Sequence, residues 1–593
     1  MKLPRLNTVE FSRIMTQFFR GLNHNARIAD GEWYDEKNLS SSQYPLLSQR
    51  RKRGIWTQLT APQGMLAKDA MAYVDDGKLY YNGYLVSGVE LAAEGEKQMV
   101  SMGAYLVIFP DKVYVNTQDL SDCGSLEATY ASVEGANITY QMCRVDGTAY
   151  EVSDANVSAT EPVNPENGAY WIDSSQTPHS LKQYSATNGA WVAIASTYIR
   201  IGCTGIGAAF AQYDGVTVSG CAYAGENAVL AEQMGEINGE KLIYARDEDS
   251  IVVAGVLDQA YTQTAGTVTV KRQCPDMQYV CEGENRIWGC FYGMREGKML
   301  NEIYACALGD FKNWNRFMGI STDSYAVSVG SDGAFSGAIS FTGYPHFFKE
   351  NCLHKIYGQM PANYQVQTTP LRGVQEGSHK SMVVVNEILY YKSRTDVCAF
   401  DGSLPAGISS ALGQGTWYDA AGGRCGEKYY LSMRDAAGAW TMYVYDVQRG
   451  IWHKEDETRA MCFAQMDDDL YYIDADTNRM MAVNGTQGEA ETEVEWFAES
   501  GLFGYEYENH KYLSRFNIRM KLEAGARAAL YIEYDSSGKW ELQGEMQGAE
   551  RTRTFLTPVI PRRCDHMRLK IVGRGDVKLY SIARLLTMGG DGR

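Results

Sequence analysis

Glu387-Ile388-Leu389-Tyr390-Tyr391 is the stretch that decides the fold, because it returns. Related runs stand at Gly77-Lys78-Leu79-Tyr80-Tyr81, Glu427-Lys428-Tyr429-Tyr430-Leu431 and Asp468-Asp469-Leu470-Tyr471-Tyr472. Each follows a turn signal and leads, through a second turn, into another strand-like run, as Val397-Cys398-Ala399-Phe400 does ahead of Asp401-Gly402. The last three copies start roughly 40 residues apart, the period of a four-stranded β-propeller blade. A blade cannot bury its own faces and must stack on its neighbours, so the repeat implies a ring.

Working outward, the same rhythm appears at Ala70 to Val86 and in Tyr105-Leu106-Val107-Ile108-Phe109, which turns at Pro110-Asp111 into Val113-Tyr114-Val115. It lapses over 121–280, which alternates strands such as Tyr198-Ile199-Arg200-Ile201 with turns such as Asp214-Gly215. It resumes at Asn285-Arg286-Ile287-Trp288-Gly289-Cys290. After about 490 the pattern becomes strict apolar–polar alternation, as in Phe516 to Leu522 and Ala529 to Tyr534, which reads as a separate sandwich. The expected fold is all-β: a propeller of six to eight blades, small inserted β modules and a C-terminal β-sandwich. The expected boundaries are an extended N-terminal arm at 1–60, first blades at 61–120, inserted modules at 121–280, remaining blades at 281–488 and the sandwich at 489–593.

Bulk properties limit the function. The 593 residues carry 40 tyrosines, 59 glycines and a net charge of −17. Such a balance opposes nonspecific wrapping of nucleic acid, which needs a basic surface, but suits a wall past which DNA slides. No run approaches the roughly 20 apolar residues of a membrane-spanning helix, and the first residues have no apolar signal core. The thirteen cysteines form no Cys-x-x-Cys pair and read as small core residues.

The search for chemistry returns little. A nucleophile elbow, a phosphate loop and a zinc-binding helix motif are all missing. His346 and His354 have no convergent further ligand. Asp474-Ala475-Asp476-Thr477-Asn478 begins like a calcium loop, but Arg479 and Gly485 stand where glycine and glutamate are needed. No catalytic residue, metal or cofactor is therefore assigned, and the chain is expected not to be an enzyme. The single candidate interaction site is the basic run Arg50, Arg51, Lys52 and Arg53, read either as a solvated turn or as a contact for an acidic partner or a nucleic-acid backbone.

Several segments, in order, resemble one group of proteins. Phe19-Arg20-Gly21-Leu22-Asn23, Ile28-Ala29-Asp30-Gly31-Glu32, Asn38-Leu39 and Pro45-Leu46-Leu47-Ser48 resemble the opening of neck or tail structural proteins of tailed phages and prophages. Asn285 to Gly289 with Leu308 to Trp314 is similar to a signature of the same proteins. Asp214 to Gly220 with Ile237-Asn238-Gly239 resembles a small β module of phage tails, and Tyr512 to Phe516 with Pro561 to Asp565 resembles their C-terminal module. The resemblance implies a virion component like the tail nozzle, or tubular, protein. It would form a homo-oligomeric ring, six- or twelve-fold, with adaptor, portal-side and tail-fibre proteins as neighbours. Double-stranded DNA would pass through it, and it would reach the virion after assembly in the bacterial cytoplasm. Two other readings stay open. One is a receptor- or glycan-binding propeller at the tail tip, which would need Tyr81, Tyr391 and Tyr472 exposed; they are expected to be buried. The other is a glycan-cleaving depolymerase, which would need two carboxylates facing across the channel.

Overall fold

A computed structural model describes residues 11–150, 152, 155–485, 489–504, 510–548, 551–559 and 562–588. The described chain is almost entirely strands. No described helix is long and apolar enough to cross a membrane.

Seven antiparallel sheets make the propeller, six of four strands and the last of five. Blades 1 and 2 span 62–85 and 98–125, blades 3 to 6 span 279–328, 335–370, 383–407 and 417–454, and blade 7 begins at 460. In blade 1 the tyrosine-rich run is the third strand, Lys78–Tyr81; in blades 5 to 7 it is the second, as in Ile388–Lys392 and Asp469–Asp474. This strand is buried on both faces, which is why it is apolar throughout rather than alternating. Tyr391 and Tyr472 are 0% and 1% exposed, and Tyr81 is 8% exposed.

The ring closes with distant sequence. Blade 7 draws Ala460–Met466, Asp469–Asp474 and Arg479–Ala482 from the late chain, and its fourth strand is Gly54–Gln58. Gln58 lies opposite Arg479 and Gly54 opposite Ala482.

The insertion between blades 2 and 3 occupies 128–272 and is built round one core. Three small sheets and the helix Ala228–Ile237 share Ile138, Ile199, Val218, Leu230, Met234 and Val270. Asn227 caps the helix, its side chain accepting from the Val229 and Leu230 amides. The junction with blade 3 is a buried polar knot. Asp214 takes Arg272 at 2.6 Å and the Asn313 amide at 3.0 Å, and Asn313 accepts from the Gly215 amide. Gly215 is needed there, since a Cβ would lie 2.4 Å from the Asn315 carbonyl oxygen.

The C-terminal sandwich has sheets of seven and five strands, packed through Trp496, Phe516, Ile518, Leu530, Ile571 and Leu579. The N-terminal residues, read as an arm, are extended and lie in this sandwich. Phe11–Thr16 pairs with Val577–Met588, Trp33–Lys37 pairs with Glu495–Ser500, and Leu47–Gln49 also pairs with Val577–Met588. On the way they dock on blade 6. The Leu22 amide donates to the Trp452 carbonyl at 2.7 Å, Ser41 donates to Asp446, and the buried His453–Glu36 pair stands at 2.7 Å. Gly21 has φ +71°, and a Cβ there would sit 2.2 Å from the Trp452 oxygen. Residues 11–58 thus alternate between the sandwich and blade 6 before ending in blade 7.

Candidate functional site

The inner strands of all seven blades face a cavity of about 440 Å3 on the propeller axis. Glu96, just ahead of blade 2, meets two side chains from the short 3-10 turn His379–Ser381 ahead of blade 5. His379 Nε2 lies 3.1 Å from one carboxylate oxygen and Lys380 Nζ 3.0 Å from the other. The contact crosses the ring, since blades 2 and 5 are not neighbours. Burial opposes ionisation of Glu96, but the hydrogen bond from His379 and the nearby Lys380 charge outweigh it and hold the carboxyl at about 2. The Tyr279 ring packs against His379 at 5.0 Å, and burial pushes its phenol up to about 12. Among the described lining residues Glu96 is the one carboxylate. The facing pair that glycoside cleavage uses is not formed in this cavity.

The basic run is split by its own strand geometry. Arg50 and Arg53 turn inward and are 6% and 3% exposed. Arg50 reaches Asn38, Glu491 at 2.7 Å and Asp456 at 3.4 Å. Arg53 reaches Glu455 at 2.6 Å and Asp456 at 2.9 Å. Burial works against the Asp456 charge, yet Arg53 and Arg50 hold its carboxyl at about 2. These two arginines are therefore engaged within the chain. Their charges are spent welding blade 7's closing strand to the turn after blade 6, because a buried guanidinium must be paired. Arg51 is exposed and Lys52 half-buried. Both line a crevice of about 580 Å3 with Lys521, Lys578, Glu523 and Asp576 of the sandwich.

The remaining candidates fall to structural roles. His346 donates to the Tyr344 carbonyl through Nδ1, and His354 bonds Ser331 and Thr368. Burial pushes both imidazoles down to about 4. No group of three or more metal-ligating side chains occurs among the described residues. Asp474 accepts from the Asp476 amide and the Thr477 hydroxyl, which is a turn. All thirteen thiols are free. Sequence reasoning missed Glu96, His379 and Lys380. Their signal was positional: each immediately precedes an inner strand, and inner strands line the axis.

These features define an all-β protein with a seven-bladed propeller closed by Gly54–Gln58 and fused to a sandwich. No family model and no curated protein matches the chain. Solved structures do. One is an exo-β-1,3-galactanase from Phanerochaete chrysosporium, at 8% identity and TM-score 0.22, covering 51% of this chain and 94% of that one. Another is a glycoside hydrolase family 43 arabinoxylan arabinofuranohydrolase from Bacillus subtilis, at 9% identity and TM-score 0.18, covering 51% and 94%. A third is the extracellular domain of a putative hybrid two-component system from B. thetaiotaomicron, at 8% identity and TM-score 0.20, covering 94% and 98%. Likeness at this level speaks to the fold alone. It does correct one expectation. Glycoside hydrolases stand among the structures similar to this chain, so an all-β fold without a catalytic sequence motif is no ground for ruling out an enzyme.

Proposed function

We propose that the chain is a structural component of a tailed-phage or prophage particle, placed at the head–tail neck or tail nozzle. It forms a closed ring of identical subunits, six- or twelve-fold, through which double-stranded DNA passes. Its neighbours are adaptor, portal-side and tail-fibre proteins, and its final location is the virion. The observation that carries this reading is the path of residues 11–58, which supply strands to the sandwich and close the propeller. That path makes propeller and sandwich one braced body, as a load-bearing ring subunit requires. Blade 6 receives a dense set of ties from the arm, including Lys37–Glu457 and Lys454–Asp35 beside His453–Glu36. Heterologous contacts between such bodies give rings when the rotation closes. The charge of −17 suits a lumen that repels phosphate and does not trap it.

The test is immunogold electron microscopy of gradient-purified particles with an antibody to the sandwich. Gold at one pole, at the head–tail junction or tail end, is expected. Unlabelled particles, or gold spread evenly over the capsid, would refute the proposal.

A further inference from the structure

We propose that the axial cavity of the propeller binds a small hydroxylated carboxylic acid, of the sugar-acid type, held through its carboxylate by Arg424, Lys380 and His379. This site is independent of the virion reading and stands or falls without it.

Three observations on the cavity converge. First, its volume of about 440 Å3 lies within the range of sites for small molecules, about 300–1,000 Å3. Second, its ionic groups do not balance. Glu96 is shared by His379 and Lys380, whereas Arg424 has no carboxylate of its own. Arg424 donates from Nε to the Gln465 side-chain oxygen at 3.1 Å, and its two terminal nitrogens have no partner among the described residues. A guanidinium fork left open in a concave site is suited to a planar, bidentate acceptor such as a carboxylate. Third, His379 and Lys380 both line this cavity and aim their donors at one carboxylate, so the wall is already arranged to hold an anion.

Glu96 shows what these donors select. A carboxylate already sits on His379 and Lys380 at 3.1 and 3.0 Å, supplied by the protein itself. An incoming carboxylate meets the same donors, with Arg424 as the additional one, and competes with Glu96 for them. The rest of the wall defines the body of the ligand. The Tyr279 hydroxyl and the Gln465 amide nitrogen have no side-chain partner among the described residues and can serve ligand hydroxyls. Met65, Met382 and Phe463 offer an apolar face. A carboxylate with several hydroxyls and one apolar face satisfies both halves of the wall.

The test is titration calorimetry of the full chain with D-glucuronate, with D-glucose as the neutral control of the same ring. Saturable binding of glucuronate and none of glucose is expected. Arg424→Gln should weaken glucuronate binding about ten- to a hundredfold, the usual effect of losing charged hydrogen bonds. Glu96→Gln should tighten it several-fold, because it removes the internal competitor; a merely structural Glu96 would give no such gain. Thermal unfolding of both variants checks that the fold is kept, and the wild-type comparison decides if either fails to fold. The proposal is overturned by absence of saturable glucuronate binding, by equal binding of glucose, or by an Arg424→Gln protein that binds as well as wild type. It is also overturned if Glu96→Gln binds no tighter.

Discussion

Replacing Arg53 with alanine should open the propeller at one place. Arg53 is 3% exposed and holds Glu455, itself 2% exposed, at 2.6 Å and Asp456 at 2.9 Å. Its removal leaves Glu455 buried, with Arg50 at 3.7 Å as its remaining cation. Breaking a buried pair from one side costs about 3–5 kcal/mol. The cost falls on the closing strand Gly54–Gln58, whose ladder with Arg479–Ala482 completes blade 7 from the early chain. At 1.4 kcal/mol per tenfold, the opening equilibrium rises about a hundredfold to several thousandfold. Hydrogen–deuterium exchange reads this directly, since amide exchange follows the open population when reclosing is fast. The amides of 54–58 and 479–482 should exchange faster by that factor, while those of blade 4 keep their rates. Wild-type exchange at 54–58 in the variant would refute the claim that the ion cluster holds the ring shut. The same cluster sets an acid limit. The Asp456 carboxyl is held below its unfolded value, so its contribution is complete above about pH 4 and is lost as the pH falls towards about 2.

Three further outcomes follow from other parts of the molecule. His346 and His354 are buried with their imidazoles pushed down to about 4, so unfolding takes up protons between that value and the ordinary one near 6.5; blade 4 should lose protection as the pH falls through this window, and His346→Phe should flatten the dependence in exchange experiments. Gly21→Ala forces a side chain into the left-handed region and against the Trp452 carbonyl, so it should cost about 1–3 kcal/mol and speed proteolysis of the 17–32 segment. Asp214→Asn weakens the Arg272 pair at the insertion junction by up to about 3–5 kcal/mol, which limited proteolysis at 204–213 should detect while the propeller stays resistant.

The repeat was legible because the second strand of each blade is buried on both faces and must be apolar throughout, as Leu389, Tyr390 and Tyr391 are. The sandwich was legible because each of its strands buries one face, as Phe516, Ile518 and Met520 do. Ring closure was hidden: the fourth strand of blade 7 lies more than 400 residues upstream, and Gly54-Ile55-Trp56-Thr57-Gln58 carries no mark of its partner. The helix in the insertion left a faint pattern in Leu230, Gln233, Met234 and Ile237 behind the cap Asn227, interrupted by Gly235. Arg50 and Arg53 looked like surface charge because nothing local shows that Glu455, Asp456 and Glu491 arrive from the far end of the chain. Glu96 and His379 lie 283 residues apart and meet because two non-adjacent blades face one axis.

Mass-spectrometric counting of this chain in gradient-purified particles, scaled to the major capsid protein, tests the central proposal most directly. A closed neck or nozzle ring predicts about six to twelve copies per particle. Absence of the chain from particles that retain their tails would contradict it.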